Sequence, residues 1–344
     1  MNFSKTITDW YRTYKRDLPW RKTTDPYCIW LSEIMLQQTR VEQGLPYYLK
    51  FTAAYPTVFD LAAAPEDEVL KLWQGLGYYS RARNLHHTAR YVAEELGGRF
   101  PSSYKELLKL KGIGDYTASA IASISFNEAA AVVDGNVYRV LSRYFGVAIP
   151  VNASEGVKYF KELAGELIDR QDPATFNQAI MEFGAIQCSP RAPKCHECPL
   201  NDGCVALRDD KVQQLPVKIR KNSIRHRYFH YLVIEHDEYT VLQQRKHKDI
   251  WQHLYEFPLI EADGPLDKSD IEHHKEFRKL VGDSPFRLEQ YGETVIHKLS
   301  HQHIHASFWV VYPGDPVNGT VRKSEVGAYP VPVLIANFVR EYEF

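Results

Sequence analysis

Two carboxylic acids, two closely spaced glycines and four thiols hold most of the chemistry this sequence could perform. Glu33 lies in the run Trp30-Leu31-Ser32-Glu33-Ile34-Met35-Leu36 and has Ile29, Trp30 and Leu36 as turn-spaced neighbours. Burial penalises the charged form of a carboxyl and raises its pKa. A carboxylic acid still neutral near pH 7 can serve as a general acid. The plainer reading of Glu33 is an acid at the rim of a buried helix. Asp134 closes the apolar pair Val132-Val133 and stands before the amphipathic run Val137, Val140, Leu141, Tyr144, Phe145. An Asp there caps the helix. A capping carboxylate stays ionised and can still project toward a site, so the two readings are compatible. Gly112 and Gly114 separate a predicted helix over Tyr104–Lys111 from a second one rich in small residues (Ala118, Ser119, Ala120, Ala122). Glycine at both places permits a sharp turn with positive φ. It also leaves N–H groups facing outward at the start of the second helix, where an anion is favoured. This is a helix-hairpin-helix phosphate grip or simply a tight helical turn, and the pattern alone does not separate them.

The thiols are more specific. Cys188, Cys195, Cys198 and Cys204 fall within 17 residues. Without a secretory pattern, thiols this close argue for a metal site rather than disulfides. Four thiolates suit either Zn²⁺ or an iron–sulfur cluster. The intervals of six, two and five residues depart from the paired ribbons usual for zinc, and both metals stay open. Cys28, beside Ile29 and Trp30, reads as a small buried hydrophobe.

The elements that must position these groups divide the 344 residues in two. That length suits two cores better than one. Residues 1–207 read as helices punctuated by Pro56, Pro65, Gly75, Gly77 and Pro101. Residues 208–227 are polar and charged, with Pro216 inside, and read as a linker. Residues 228–344 have the texture of an α+β domain, with β-like runs at Phe229–Glu235, Tyr239–Leu242 and His305–Tyr312 and one helix over Ser269–Val281. Formal net charge is −1, and basic and acidic residues balance in each half, so any nucleic-acid contact must rest on local patches. The most basic stretch is Lys218, Arg220, Lys221, Arg225 and Arg227, and from charge alone it reads as solvated linker. No apolar run approaches membrane-spanning length and no signal core follows Met1-Asn2-Phe3-Ser4-Lys5. An intracellular, cytoplasmic chain with no membrane attachment is expected.

In this order, the four signals resemble the helix-hairpin-helix DNA glycosylase superfamily with a four-Cys iron–sulfur cluster. Leu18-Pro19-Trp20-Arg21, Ser32-Glu33-Ile34-Met35-Leu36-Gln37-Gln38-Thr39 and Gly75-Leu76-Gly77-Tyr78-Tyr79-Ser80-Arg81-Ala82-Arg83-Asn84-Leu85 narrow the resemblance to the MutY-type adenine DNA glycosylases. The resemblance implies a mainly α domain holding a [4Fe-4S] cluster on Cys188, Cys195, Cys198 and Cys204. It implies duplex DNA with adenine opposite 8-oxoguanine or guanine as partner, gripped through Gly112 and Gly114. It also implies a nucleoid-associated monomer. Glu33 would protonate the adenine, and Asp134 would stabilise the cationic sugar directly or through a transient adduct. Tyr116 and Asn136 would support the sugar and the water. Arg21 and Gln178 would hold the flipped base, while Gln38 and Tyr78 would fill the gap in the duplex or wedge beside the oxidised base. Endonuclease III-like relatives carry a Lys in the hairpin as an amine nucleophile. Tyr116 stands here instead, so the expected reaction stops at base removal.

The C-terminal part resembles the Nudix-like module of that family. Trp251-Gln252-His253-Leu254-Tyr255-Glu256-Phe257-Pro258 looks like the start of the fold. A hydrolase of this fold needs a helix of Glu residues to hold Mg²⁺. The stretch Glu272-His273-His274-Lys275-Glu276-Phe277-Arg278-Lys279 departs from that box, so no nucleotide hydrolysis is expected. In the family this module carries a Ser-His pair that reads 8-oxoguanine. Ser300 and His301 match it, with Leu299 where an aromatic is common. Three rival functions are weighed: a glycosylase for another mismatched base such as thymine opposite guanine, a Nudix pyrophosphatase with a helical appendage, and a non-catalytic DNA-binding module holding a metal.

Overall fold

A computed structural model describes residues 2–219 and 224–344. Arg220 and Lys221 of the basic stretch lie outside the described residues. The chain falls into two compact units: Met1–Ala63 with Asn84–Arg220, and Ala64–Arg83 with Lys221–Phe344. In chain order the helices up to Arg208 are α1 (Phe3–Tyr14), α2 (Pro26–Leu36), α3 (Val41–Ala54), α4 (Val58–Ala63), α5 (Glu66–Trp73), α6 (Ser80–Glu94), α7 (Tyr104–Leu107), α8 (Asp115–Phe126), α9 (Gly135–Phe145), α10 (Ser154–Leu167), α11 (Pro173–Glu182) and α12 (Val205–Arg208). Helix α5 and the first turn of α6 belong to the second unit.

Helix α2 is the axis of the first unit. Asp25 caps it by accepting from Tyr27 N, and Pro26 supplies its first residue. Its residues Ile29, Trp30, Leu31, Ile34 and Met35 are all buried, as expected of a helix that is apolar all round. Helix α8 packs beside α2 and α11. Its Ala118, Ser119, Ala120 and Ala122 are buried, and small side chains allow that close approach. The first hairpin helix is shorter than its apolar pattern predicts. It ends at Leu107, and the chain turns from there to Gly114. Only Gly112 needs positive φ (80°), and a Cβ there would lie 2.7 Å from Asn84 Cβ. Gly114 is extended (φ −92°, ψ −178°) and serves as the N-cap of α8 without a capping side chain. Helix α11 runs into a π-helical turn, Phe183–Gln187, that leads to Cys188. Such turns often mark functional sites. The polar stretch after α12 is pinned to the first unit: Val151 N donates to Val217 O, and Asn152 exchanges two hydrogen bonds with Ile219.

In the second unit, β1 (Arg225–Ile234), β2 (Tyr239–Val241), β3 (Gln243–Gln244), β4 (Tyr255–Glu256) and β5 (Leu259–Ala262) precede α13 (Lys268–His273) and α14 (Lys275–Val281). Then come β6 (Phe286–Lys298), β7 (Gln302–Pro313), β8 (Thr320–Arg322) and α15 (Val333–Tyr342). The main sheet has the order β5-β1-β7-β6, with β1 and β7 parallel and both edges antiparallel. Leu232, Ile234, Ile260, Trp309 and Val311 face Ile271 and Phe277 of the two short helices. On the other face Phe308 stacks on Phe338 of α15, ring centroids 4.0 Å apart. The single helix expected over Ser269–Val281 is two, because His274 turns extended (ψ 136°) and caps α14. Glu272 and Glu276 therefore lie on different helices. Arg227 of the basic stretch is buried and bonded to Asp249 and Glu261, so it is neither solvated nor free to meet phosphate. Among the described residues, no helix is long and apolar enough to cross a membrane.

Candidate active site

A cavity of about 400 Å³ opens in the first unit. Its wall includes Arg21, Glu33, Tyr116, Asp134, Asn136 and Gln178, six of the residues singled out from the sequence. Arg16, Trp20, Arg139, Met181 and Glu182 complete the part that matters for chemistry. Helix α2 supplies Glu33, α8 supplies Tyr116, the N-terminus of α9 supplies Asp134 and Asn136, and α11 supplies Gln178 and Glu182.

The two acids meet opposite environments. Glu33 is 7% exposed, and burial pushes its pKa up to about 7. The Tyr116 hydroxyl and Arg21 restrain the rise, and the Asp134 charge adds to it. Asp134 is the N-cap of α9. It accepts from the backbone N–H of Asn136 and of Val137 (both 2.8 Å) and from Asn136 Nδ2 (2.8 Å). Burial raises its pKa too, but these three bonds and the Arg139 charge favour the carboxylate. Asp134 thus caps α9 and lines the cavity in one geometry. Tyr116 is half-buried in the cavity wall, and burial of its hydroxyl and the two acids hold that hydroxyl well above the ordinary phenol range, in its neutral form. That hydroxyl donates to Met181 Sδ (3.1 Å).

The opposite wall is built on a buried ion pair the sequence reading did not flag. Glu182 is 1% exposed. It accepts from Arg21 Nη1 and Nη2 (2.9 and 2.7 Å) and from Arg16 Nε and Nη2 (2.9 and 2.7 Å). Burial alone would raise its pKa, yet the two guanidinium groups bring it down to about 2. Arg21 also lies over the Tyr11 ring, and the Tyr11 hydroxyl donates to Gln178 Oε1 (2.7 Å). The Gln178 amide is thereby oriented with its N–H₂ available. The signal for Glu182 was the one used for Glu33, an acid inside an apolar helical run (Ile180-Met181-Glu182-Phe183). Gln38 is exposed and holds φ 55°, beside the lining residues Leu36 and Thr39.

Arg139 ties this wall to the cysteines. It donates to Asn136 Oδ1 (2.8 Å), Gly184 O (2.5 Å) and Cys188 O (2.7 Å). Gly184 permits the approach, since a Cβ there would come within 2.6 Å of Asn136 Cβ. Cys188, Cys195, Cys198 and Cys204 line one small cavity, and none is in a disulfide. Arg143 Nη1 points at Cys188 Sγ (3.5 Å), and its other donors hold the carbonyls of Ser189, Pro190 and Leu215. Among the described residues no three His, Cys, Asp or Glu groups converge on a point as one ion requires. Four soft thiol donors around one small cavity suit zinc or an iron–sulfur cluster alike.

At the hairpin, Asp115 in the first turn of α8 accepts from Lys161 Nζ (2.9 Å) and from the Tyr104 hydroxyl. The N-terminal turn of α8 lacks a capping side chain, as a phosphate grip requires.

In the second unit, Tyr78 is 44% exposed and held at φ 48° between Gly77 and Tyr79. Its hydroxyl lies 2.6 Å from Ser300 Oγ. Ser300 and His301 form the turn between β6 and β7, closed by Leu299 N donating to Gln302 O. Segment 64–83, which carries Tyr78, is bonded to the rest of its unit: Lys71 Nζ to Gly327 O (2.6 Å), Tyr255 Oη to Asp67 (3.1 Å) and Arg83 to Gln252 O (2.7 Å).

Residues 31–176 match the HhH-GPD superfamily base excision DNA repair proteins. Residues 188–204 match the iron-sulfur binding domain of endonuclease III, and 213–341 match the NUDIX domain. The chain is 35% identical over 317 residues to the adenine DNA glycosylase of Buchnera aphidicola subsp. Baizongia pistaciae, covering 90% of this chain and 86% of that one. It is 44% identical over 222 residues to the adenine DNA glycosylase of Homo sapiens, covering 62% of this chain and 41% of that one. Among solved structures, a thermostable thymine-DNA glycosylase aligns with TM-score 0.56 and 37% identity over 60% of this chain and 95% of its own. A non-covalent endonuclease III–DNA complex aligns with TM-score 0.52 and 22% identity over 60% and 94%, which establishes the common fold.

Proposed function

We infer the course of the reaction from one premise: the chain belongs to the adenine DNA glycosylase family, hydrolyses N-glycosyl bonds to adenine in DNA during base excision repair, and carries a [4Fe-4S] cluster. We propose that its substrate is adenine opposite 8-oxoguanine or guanine and that it removes the base without cutting the strand. The observation that carries this reading is the pair of acids in one cavity, Glu33 with its pKa raised to about 7 and Asp134 accepting three hydrogen bonds that favour its carboxylate.

The adenine leaves the stack and enters the cavity, as any base must for chemistry at its glycosidic bond. Gln178 and Arg21, oriented by Tyr11 and Glu182, hold its edge. Glu33 gives its proton to a ring nitrogen, the C1′–N9 bond breaks, and its electron pair leaves with the neutral base. Asp134 stabilises the positive charge left at C1′, and the neutral Tyr116 hydroxyl and Asn136 support the sugar. Water adds to C1′ and returns a proton to Glu33. Two carboxyl groups in different protonation states are the general arrangement for glycoside cleavage. Tyr116 offers no amine, so no Schiff base forms and no strand break follows. Cys188, Cys195, Cys198 and Cys204 would hold the cluster, which cross-links its loop and supplies no step of base release. Gly112 and Gly114 contact a backbone phosphate, and Gln38 enters the gap in the duplex. Tyr78, Ser300 and His301, together on the second unit, meet the oxidised guanine. The polypeptide acts as a monomer on DNA in the cytoplasm.

The thymine reading has in its favour the 37% identical solved structure, which covers 60% of this chain, whereas the relatives named adenine DNA glycosylase cover up to 90%. The test is a Glu33→Gln variant on duplexes with adenine opposite 8-oxoguanine. Retained duplex binding with lost base release supports the proposal, and undiminished release refutes it.

A further inference from the structure

We propose that His226, His303 and His305 form a binding site for a backbone phosphodiester of the DNA strand bearing the oxidised guanine. The inference rests on the reading of the Ser300–His301 turn given above.

The parallel pairing of β1 and β7 sets His226 beside His303 and Tyr228 beside His305. Residues two apart on a strand share a face, so the three imidazoles form one patch. His226 Nδ1 lies 2.9 Å from His305 Nε2, and the ring centroids of His226 and His303 are 5.3 Å apart. His226 is exposed, and the other two are half-buried. Strand β6 places Lys298 opposite His303 and Ile296 opposite His305. Tyr228 stacks on His305 at 4.7 Å, and β5 contributes Ala262 opposite Tyr228.

No strand residue paired into this patch is a carboxylate. The acids on this part of the sheet, Asp249 and Glu261, bond Arg227, whose side chain is on the opposite face. Asp270 and His274 act on His230, further along the same face. Among the described strand residues, the patch is therefore three imidazoles and an ammonium with no anion paired into it. Three other histidines of this unit have partners outside the patch: His230 takes the Trp309 N–H, His253 meets Glu66, and His273 meets Ser269 O.

The patch adjoins the turn. Arg225 N, one residue before His226, donates to His301 O, and His303 follows Ser300 by three residues. Burial and the two neighbouring imidazoles hold the His305 pKa below its ordinary value. A phosphate would reverse the balance and draw a proton onto the imidazoles, so binding takes up a proton and strengthens as pH falls.

The test uses full chains carrying Glu33→Gln, which removes both turnover and the titration of Glu33. Dissociation constants are measured at pH 7.5 and 6.0 at fixed ionic strength, with and without His303→Gln and His305→Gln. The duplexes carry adenine opposite 8-oxoguanine or opposite guanine. Near-ultraviolet circular dichroism and cluster absorbance check the fold. The parent is expected to tighten roughly fivefold on acidification, and the double histidine variant to lose most of that gain with both duplexes alike. Its salt dependence at pH 6.0 should be shallower by about one phosphate. An identical pH response in parent and variant overturns the proposal. Ser300→Ala separates the two readings, because it should weaken only the preference for 8-oxoguanine. If Ser300→Ala leaves that preference intact while the histidine variant loses its pH response, the turn reading fails and, with it, the assignment of the phosphate to the oxidised strand, while phosphate binding by the three histidines stands.

Discussion

The neutral acid is the feature most open to quantitative attack. Burial takes the Glu33 pKa from 4.5 to about 7. If Glu33 must be protonated for the base to leave, the rate of the chemical step follows its neutral fraction. That fraction is about one half at pH 7 and about one hundredth at pH 9, so the rate should fall roughly fiftyfold across that interval. The same displacement has a stability consequence of definite sign. A carboxyl whose folded pKa is raised stabilises the fold fully below pH 4.5, and this contribution is lost as pH rises through about 7. Above pH 7 the cost of ionising Glu33 at its buried position is about 3 kcal/mol. Glu33→Gln removes that cost, so the variant should be more stable than the parent at pH 8.5 and no more stable at pH 5. The assay is single-turnover adenine release from pH 5.5 to 9, paired with urea unfolding of both proteins at the two pH values. The variant should be slower by about 10²–10⁴-fold and show no alkaline decline near pH 7. An alkaline limb that survives in the variant, or equal stability at pH 8.5, would refute the reasoning.

Other perturbations test the remaining parts. Asp134→Asn keeps a good capping residue at the start of α9, so duplex binding and cluster absorbance should persist while base release is lost; loss of binding as well would make Asp134 chiefly structural. Glu182→Ala leaves the largely buried Arg21 and the partly exposed Arg16 without their shared carboxylate and should cost about 1–3 kcal/mol in unfolding free energy. Because the Glu182 pKa is lowered to about 2, its stabilisation is present above pH 4.5 and lost as pH falls toward 2, so the difference between Glu182→Ala and the parent should shrink on acidification. Cys198→Ser should lower iron content and visible absorbance together with activity; full iron content in the purified variant would remove Cys198 from the cluster.

Where the sequence was informative, the cause was local. Glu33 is ringed by its own helical neighbours, and Asp134 sits at a cap whose partners are two and three residues away. The cysteine spacing is likewise a matter of 17 consecutive residues. What escaped depends on distant contacts. Glu182 gains its role from Arg16 and Arg21, more than 160 residues earlier. Arg139 gains its role from carbonyls on the π-turn and at Cys188. Segment 64–83 joins the second unit through side chains that meet residues 252–331, which no periodicity reveals. Strand β6 was invisible for a different reason. It is an edge strand with a bulge between Tyr291 and Val295, exposed along most of its length. Its polar sequence lacks the apolar alternation by which a half-buried strand is recognised.

The measurement that bears most directly on the proposed activity is product analysis on a duplex with adenine opposite 8-oxoguanine, run with and without alkali. A hydrolytic glycosylase with Tyr116 in place of an amine should release free adenine and leave an intact strand that breaks only after alkali. Strand breaks without alkali, or intact adenine in a preparation whose cluster absorbance is full, would contradict the account.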